Sequence, residues 1–333
     1  HGTVAREHLT VDDRRGEADA AVVIFWVSPE RARTLHSMDY RILGRTGVKV
    51  SEVCLGAMMF GAWGNTDHED STRIIHAALD AGINFIDTAD VYGEGGSEEI
   101  LAKALEGRRD DVVLATKCHL PMGTDPNMQG SSRRWIIRAC EDSLRRLGTD
   151  YIDLYQIHRL QAGCDHDETL GALTDLVRSG KVRYIGSSTY PPSAIVEAQW
   201  VAERRGRERF ICEQPPYSIL YRGIEGDMLP TAQRYGMGVI CWGPLGGGWL
   251  SGRWRKGTTE MASSRANRIP RRYDLSRPDN QRKLDVVEQL ALLAEELGIS
   301  LIHLSLAFVL QHPAVTSAII GSKACSRSST VFA

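Results

Sequence analysis

Eight short apolar runs, most of them separated by segments of helical spacing, constrain this chain more than any other feature of its 333 residues. The runs lie at 53–56, 85–86, 112–116, 152–157, 182–187, 211–213, 238–241 and 317–320. Between them, 71–81 reads as a helix whose Ile74, Ile75, Ala78 and Leu79 share one face, closed by Gly82. A second begins near Ser97, where a capping hydroxyl and the acids Glu98 and Glu99 suit a helix N-terminus. Further helices are expected at 135–147 and 170–179, closed by Gly148 and Gly180, and at 193–203 and 229–235. Strand–helix alternation predicts a parallel sheet, and eight strands predict closure into a (β/α)8 barrel of the TIM type. No Gly-x-Gly-x-x-Gly follows the first strand, which argues against an open Rossmann sheet. Barrels of about 250 residues or more commonly form one domain, so one is expected here.

The C-terminal ends of three strands carry titratable side chains. Phe85 and Ile86 lead into Asp87, with Tyr92 in the loop beyond; 112–116 runs into Lys117, and 152–157 into His158. Alone, Asp87 reads more readily as a turn cap and Tyr92 as a loop anchor. The other two strands reverse that reading, because all four side chains then converge on one rim. A free phenol has a pKa of about 10 and donates its proton poorly at neutral pH, but a neighbouring ammonium favours the phenolate. Lys117 is suited to supply that ammonium, Asp87 to keep it charged and aimed, and His158 to hydrogen-bond a carbonyl oxygen from the other side.

These residues, in the patterns Asp-Thr-Ala-x-x-Tyr-Gly, Ala-Thr-Lys and Asp-Leu-Tyr-Gln-Ile-His, resemble the aldo-keto reductase family from about Tyr40 to Lys323. The resemblance implies a (β/α)8 barrel, NADP(H), and reduction of a small aldehyde or ketone. It also implies that the hairpin expected at 40–50, turning at 44–47, plugs the barrel floor. Ser188 and Gln214 match family residues that hold the nicotinamide carboxamide, whereas Thr189 stands where Asn is frequent. The flat ring of Trp242 can stack on the nicotinamide. Leu245 opens a run with Gly246, Gly247 and Gly248 whose backbone can approach a pyrophosphate, and Gly243 stands where the family has Ser. Ser322 and Lys323 match the start of the segment that holds the adenosine 2′-phosphate. After Lys323 the family continues into a helix that closes the barrel, but 324–333 has no helical apolar stripe and reads as an atypical, truncated tail.

Composition sets the remaining bounds. A formal net charge of −2 offers no electrostatic handle for nucleic acid or an anionic membrane. Seven scattered cysteines without a Cys-x-x-Cys pair suit reduced thiols and a cytoplasmic location. The apolar run 20–27 is far shorter than a membrane span. Residues 1–37 precede the family-like sequence and read as a non-native or disordered extension, leaving 38–323 as the barrel. His68 and His166, each among acids, read as part of solvated loops preceding a helix rather than as metal ligands. Two long loops, 121–132 and 249–282, emerge on the catalytic rim, and self-association is left open. Two other readings compete: a regulatory subunit resembling potassium-channel β subunits, which share the fold and a Trp at the place of Trp242, and an inert fragment lacking its closing helix.

Overall fold

The computed structural model describes residues 38–257 and 269–321. Strands β1 (Tyr40–Ile42) and β2 (Lys49–Ser51) form an antiparallel hairpin. The chain then alternates: β3 (Val53–Gly56), α1 (His68–Asp80), β4 (Phe85–Asp87), α2 (Gly96–Ala104), β5 (Val113–Cys118), α3 (Arg133–Leu147), β6 (Ile152–Ile157), α4 (His166–Arg178). It continues through β7 (Val182–Ser188), α5 (Pro192–Arg205), β8 (Cys212–Gln214), α6 (Met228–Tyr235), β9 (Gly238–Trp242), α7 (Pro278–Glu296), α8 (Leu301–Leu310) and β10 (Val315–Ile320). Strands β3 to β10 are all parallel, and β10 pairs with β3 through Ala318↔Val53, Ile319↔Cys54 and Ile320↔Leu55, so the barrel is closed as expected. The expected lack of a closing helix beyond Lys323, like the 1–37 extension and the 324–333 tail, concerns residues outside those described.

The period-two alternation of a strand sorts its side chains into two cores. Ile86, Leu114, Tyr155, Ile157 and Ile185 face outward into the layer under the helices. Phe85, Ala115, Leu154 and Cys212 face inward, and Leu43 and Val50 from the hairpin complete that inner cluster. The hairpin therefore plugs the floor. Its turn reaches the barrel at Gly44, whose φ is +58° and where a Cβ would come within 2.4 Å of the Ile211 carbonyl oxygen. Only glycine tolerates both the conformation and the approach.

Two expectations need correction. Ser97 is not a helix cap: α2 is capped at Gly95, and the Ser97 hydroxyl instead donates to the Ala57 carbonyl at 2.9 Å. Glu98 and Glu99 do lie in the first turn as expected, but Glu98 has a second role. It is fully buried, accepting from Thr116 Oγ1 at 2.6 Å and pairing with Arg146 at 2.7 Å. Finally, the long loop after β9 is not irregular to Arg282, since α7 begins at Pro278, the favoured residue for a first helical turn. Asp67 and Asp165 cap α1 and α4, accepting from the backbone N–H of Asp70 and Asp167. Among the described residues no single helix is long and apolar enough to cross a membrane; α7 and α8 meet at a bend of 98°.

Candidate active site

One inward position above the apolar layer on each of four strands, the side chains turn polar. Asp87, Lys117, Gln156 and Gln214 follow Phe85, Ala115, Leu154 and Cys212 at a spacing of two, so the alternation that builds the inner core also points these groups at one another. Lys117 Nζ donates to Asp87 Oδ2 at 2.6 Å and to the Thr88 carbonyl at 2.7 Å, and lies 3.5 Å from the Tyr92 hydroxyl. The second Asp87 oxygen accepts from Gln214 Nε2 at 2.8 Å and Gln156 Nε2 at 3.3 Å. All four side chains are buried. An ion pair sealed from water costs several kcal/mol per charge in lost hydration, and complete hydrogen bonding of this kind is what offsets it.

Tyr92 hangs over this layer on a loop pinned by backbone bonds from Thr88 N to Ala115 O and from Asp90 N to Lys117 O. His158 stands on the other side, one residue past β6, with ring centroids 5.8 Å apart and planes at 80° to Tyr92. Trp63 packs on a further side of the phenol at 5.8 Å. The four residues expected to converge, Asp87, Tyr92, Lys117 and His158, are therefore together at the C-terminal mouth of the barrel.

The electrostatics differ from expectation at one point. Burial pushes the Tyr92 phenol up, the Lys117 ammonium opposes it, and the balance leaves the phenol above its ordinary value rather than below. Burial also disfavours the Lys117 charge, but Asp87 and Tyr92 more than restore it, so the amine binds its proton more tightly than usual. His158 is pushed down to about 2 by burial, then by the positive charges of Lys117 and Arg159. It is a neutral imidazole at any working pH, and no ring nitrogen has a hydrogen-bond partner among the described residues; Nδ1 is buried. A neutral donor of this kind can bond a carbonyl oxygen without competing for the proton.

The residues expected to hold a cofactor line the same mouth. Ser188 ends β7 and its hydroxyl donates to the Gln214 carbonyl at 2.9 Å, while the Gln214 amide nitrogen faces Asp87. Thr189, next along, has φ +56°, a left-handed conformation that Asn adopts far more readily than a β-branched residue. Trp242 ends β9 half-buried, with its indole N–H buried and unpartnered. Leu245 opens the turn Gly246–Gly248, in which all three glycines have positive φ. A Cβ at Gly248 or at Gly243 (φ +71°) would meet nothing within 4 Å, so backbone there is open to a ligand, and a Ser at 243 would be strained. Tyr273 holds the turn by donating to the Gly247 carbonyl at 2.8 Å. Such a turn, beside a half-buried Trp and an exposed rim, fits a dinucleotide. Ser322 and Lys323 lie outside the described residues.

Three groups at the site were missed from sequence. Gln156 stands two residues before His158 on the inward face, and the period of two was signal enough to find it. Asp90 is buried, with Oδ1 accepting from Val91 N at 2.7 Å and Oδ2 unpartnered. Burial and then Glu98 raise it to about 8, so it carries its proton at neutral pH. Asp90 and the unpartnered indole of Trp135 line a small cavity of about 60 Å³ behind the catalytic loop. Arg159 is the third.

Comparison with known proteins agrees with this geometry. The model of the Aldo/keto reductase family matches residues 52–332. A protein named uncharacterized oxidoreductase YrpG, from Bacillus subtilis, is 42% identical over 298 residues, 86% of this chain and 87% of its own. The aldo-keto reductase dtxS3 of Metarhizium robertsii is 37% identical, over 85% of this chain and 83% of its own. A putative voltage-gated potassium channel subunit beta of Schizosaccharomyces pombe is 34% identical, over 86% and 85%.

Proposed function

The chain belongs to the aldo/keto reductase family, and from that premise we propose that it is a cytoplasmic, NADPH-dependent reductase of a small aldehyde or ketone in which Tyr92 is the general acid. The observation that carries this is the triple contact of Lys117 Nζ with Asp87, Thr88 O and the Tyr92 hydroxyl. When bound, the reduced nicotinamide supplies a hydride to the carbonyl carbon. Tyr92 gives its proton to the carbonyl oxygen, which His158 holds from the other side. Lys117 stabilises the phenolate left behind, and Asp87, fixed by Gln156 and Gln214, keeps the ammonium in place. Although burial holds the resting phenol's proton tightly, the charge developing at Tyr92 forms 3.5 Å from a permanent cation. Ser188, Gln214, Trp242, Leu245 and Gly247 are assigned to the cofactor, with Ser322 and Lys323 at the 2′-phosphate. The free thiols of the described cysteines support the cytoplasmic location.

A second reading is a cofactor-binding regulatory subunit, favoured by the similarity to potassium channel beta subunits. Steady-state consumption of NADPH, followed by its absorbance across a panel of aldehydes and ketones, decides between them. Multiple turnovers are expected; tight NADPH binding without turnover would transfer the chain to the second class. Titrating NADPH and NADH by tryptophan quenching tests the cofactor assignment, and a preference for NADPH unaltered by Lys323→Ala would place the 2′-phosphate elsewhere.

A further inference from the structure

Arg159 immediately follows His158 and is half-buried at the mouth. Its hydrogen bonds to the described residues are all made by one nitrogen, Nη1: to the His158 carbonyl at 2.6 Å, Thr189 Oγ1 at 3.2 Å and Ser188 Oγ at 3.5 Å. Among the described residues no carboxylate lies within ion-pairing distance of it. The other charge at the centre, Lys117, is already matched by Asp87. Among the described residues Arg159 is therefore an uncompensated cation at the site, and its Nε and Nη2 have no partner there. That edge of a guanidinium is the one that takes a carboxylate through two parallel hydrogen bonds.

We propose that the unpaired Nε–Nη2 edge of Arg159 is an anion subsite, which makes carbonyl compounds bearing a carboxylate the preferred substrates. The guanidinium is fixed by groups on both sides of the reaction centre: the His158 carbonyl on the substrate side, and the Ser188 and Thr189 hydroxyls where the nicotinamide carboxamide is assigned. A carboxylate seated on the free edge holds its molecule beside His158, with the carbonyl within reach of Tyr92 once a short spacer separates the two groups. Its charge reaches the surroundings, since it helps hold His158 and His119 neutral and acts on Tyr92. Glu213, an acid that its charge reaches, is fully buried with its oxygens bonded to Ser187 Oγ and Tyr190 N, and forms no ion pair with it. Half-burial makes such a pair stronger than one on open surface, where salt bridges contribute little.

This deepens the reductase reading, so the test carries an arm that does not need turnover. Compare 4-carboxybenzaldehyde with its methyl ester, which keeps the ring and the aldehyde but removes the charge. The parent should favour the acid in kcat/KM by about tenfold or more, mainly through KM, as expected for one charge-assisted pair. Arg159→Gln should bring the acid-to-ester ratio close to one, and Arg159→Lys should restore part of it. An acid no better than the ester in the parent, or an equal fall for both in Arg159→Gln with weakened NADPH binding, would overturn the subsite and give Arg159 to the cofactor. If neither aldehyde turns over, the reductase reading fails by itself. Calorimetric titration of the parent and Arg159→Gln with benzoate then decides the subsite: binding lost in the variant supports it, and binding absent or equal in both overturns it.

Discussion

The two ends of this barrel solve opposite problems with the same strands. At the floor, the hairpin drives Leu43 and Val50 into an apolar cluster with Phe85, Ala115, Leu154 and Cys212. Left-handed backbone there is supplied by glycines, as at Gly44, Gly148, Gly206 and Gly236. At the rim, left-handed backbone falls on glycines such as Gly243 and Gly246–Gly248 but also on Glu94, His119 and Thr189, the non-glycine residues with positive φ among those described. There too the buried polar atoms of Asp90, His158 and Trp242 lack partners, as Arg109 Nε and Gln199 Oε1 do elsewhere. The contrast shows where strain is tolerated: the packed end fixes the strands, and the other end holds conformations and charges that each cost about 1–3 kcal/mol.

If that division holds, variants at the two ends should separate rate from stability. The largest effect expected is on rate: Tyr92→Phe should lower kcat by about a hundredfold or more while NADPH affinity and the melting temperature stay close to the parent's. A kcat unchanged in steady-state assays would remove Tyr92 from proton transfer. Leu43→Ala should do the reverse, costing about 2–5 kcal/mol in urea unfolding because a fully buried side chain leaves a cavity, with kcat of the folded fraction little altered. Loss of catalytic rate from this floor variant would break the comparison.

Asp90 sharpens it through pH. Its folded carboxyl, raised to about 8, holds a proton more tightly than an unfolded one near 4. The stabilisation from that proton is therefore complete below about pH 4 and is lost as pH rises toward 8. Asp90→Asn keeps a neutral group that can still accept from Val91 N, so it should flatten the decline and stabilise the protein at pH 8 relative to the parent. Urea midpoints measured from pH 5 to pH 8.5 that fall equally in both proteins would refute this. The smallest effect belongs to Thr189→Asn, expected to add about 1 kcal/mol by relieving the left-handed strain. A stability equal to or below the parent's would show that Thr189 is not strained.

The order of strands and helices was readable because glycines close the helices and because apolar runs of strand length are bounded on both sides. The convergence of Asp87, Tyr92, Lys117 and His158 was readable for a related reason, since a strand's last inward residue has its position set by the ones below it. Helices α7 and α8 escaped notice. The first begins inside an arginine-rich loop, and the second, Leu301–Leu310, is apolar on nearly every side because it is buried on nearly every side, so no stripe marks it. Ser97 was misjudged as the cap, and the burial of Glu98 went unseen, because a helix-start pattern does not say whether that end is solvated; here it packs against β5 and the Ala57 carbonyl. The Tyr92 phenol was misjudged in direction because the neighbouring ammonium is visible in sequence and the depth of burial is not.

The Lys117 amine has a further consequence for any protein that handles aldehydes. A neutral primary amine beside an aldehyde attacks it and condenses to an imine, which would block the catalyst with its own substrate. Lys117 has no free lone pair with which to do so, since its proton is held more tightly than usual and its hydrogens point at Asp87, Thr88 O and Tyr92. Sealed below the phenol with no exposed surface, it gives the centre a positive charge without giving it a nucleophile.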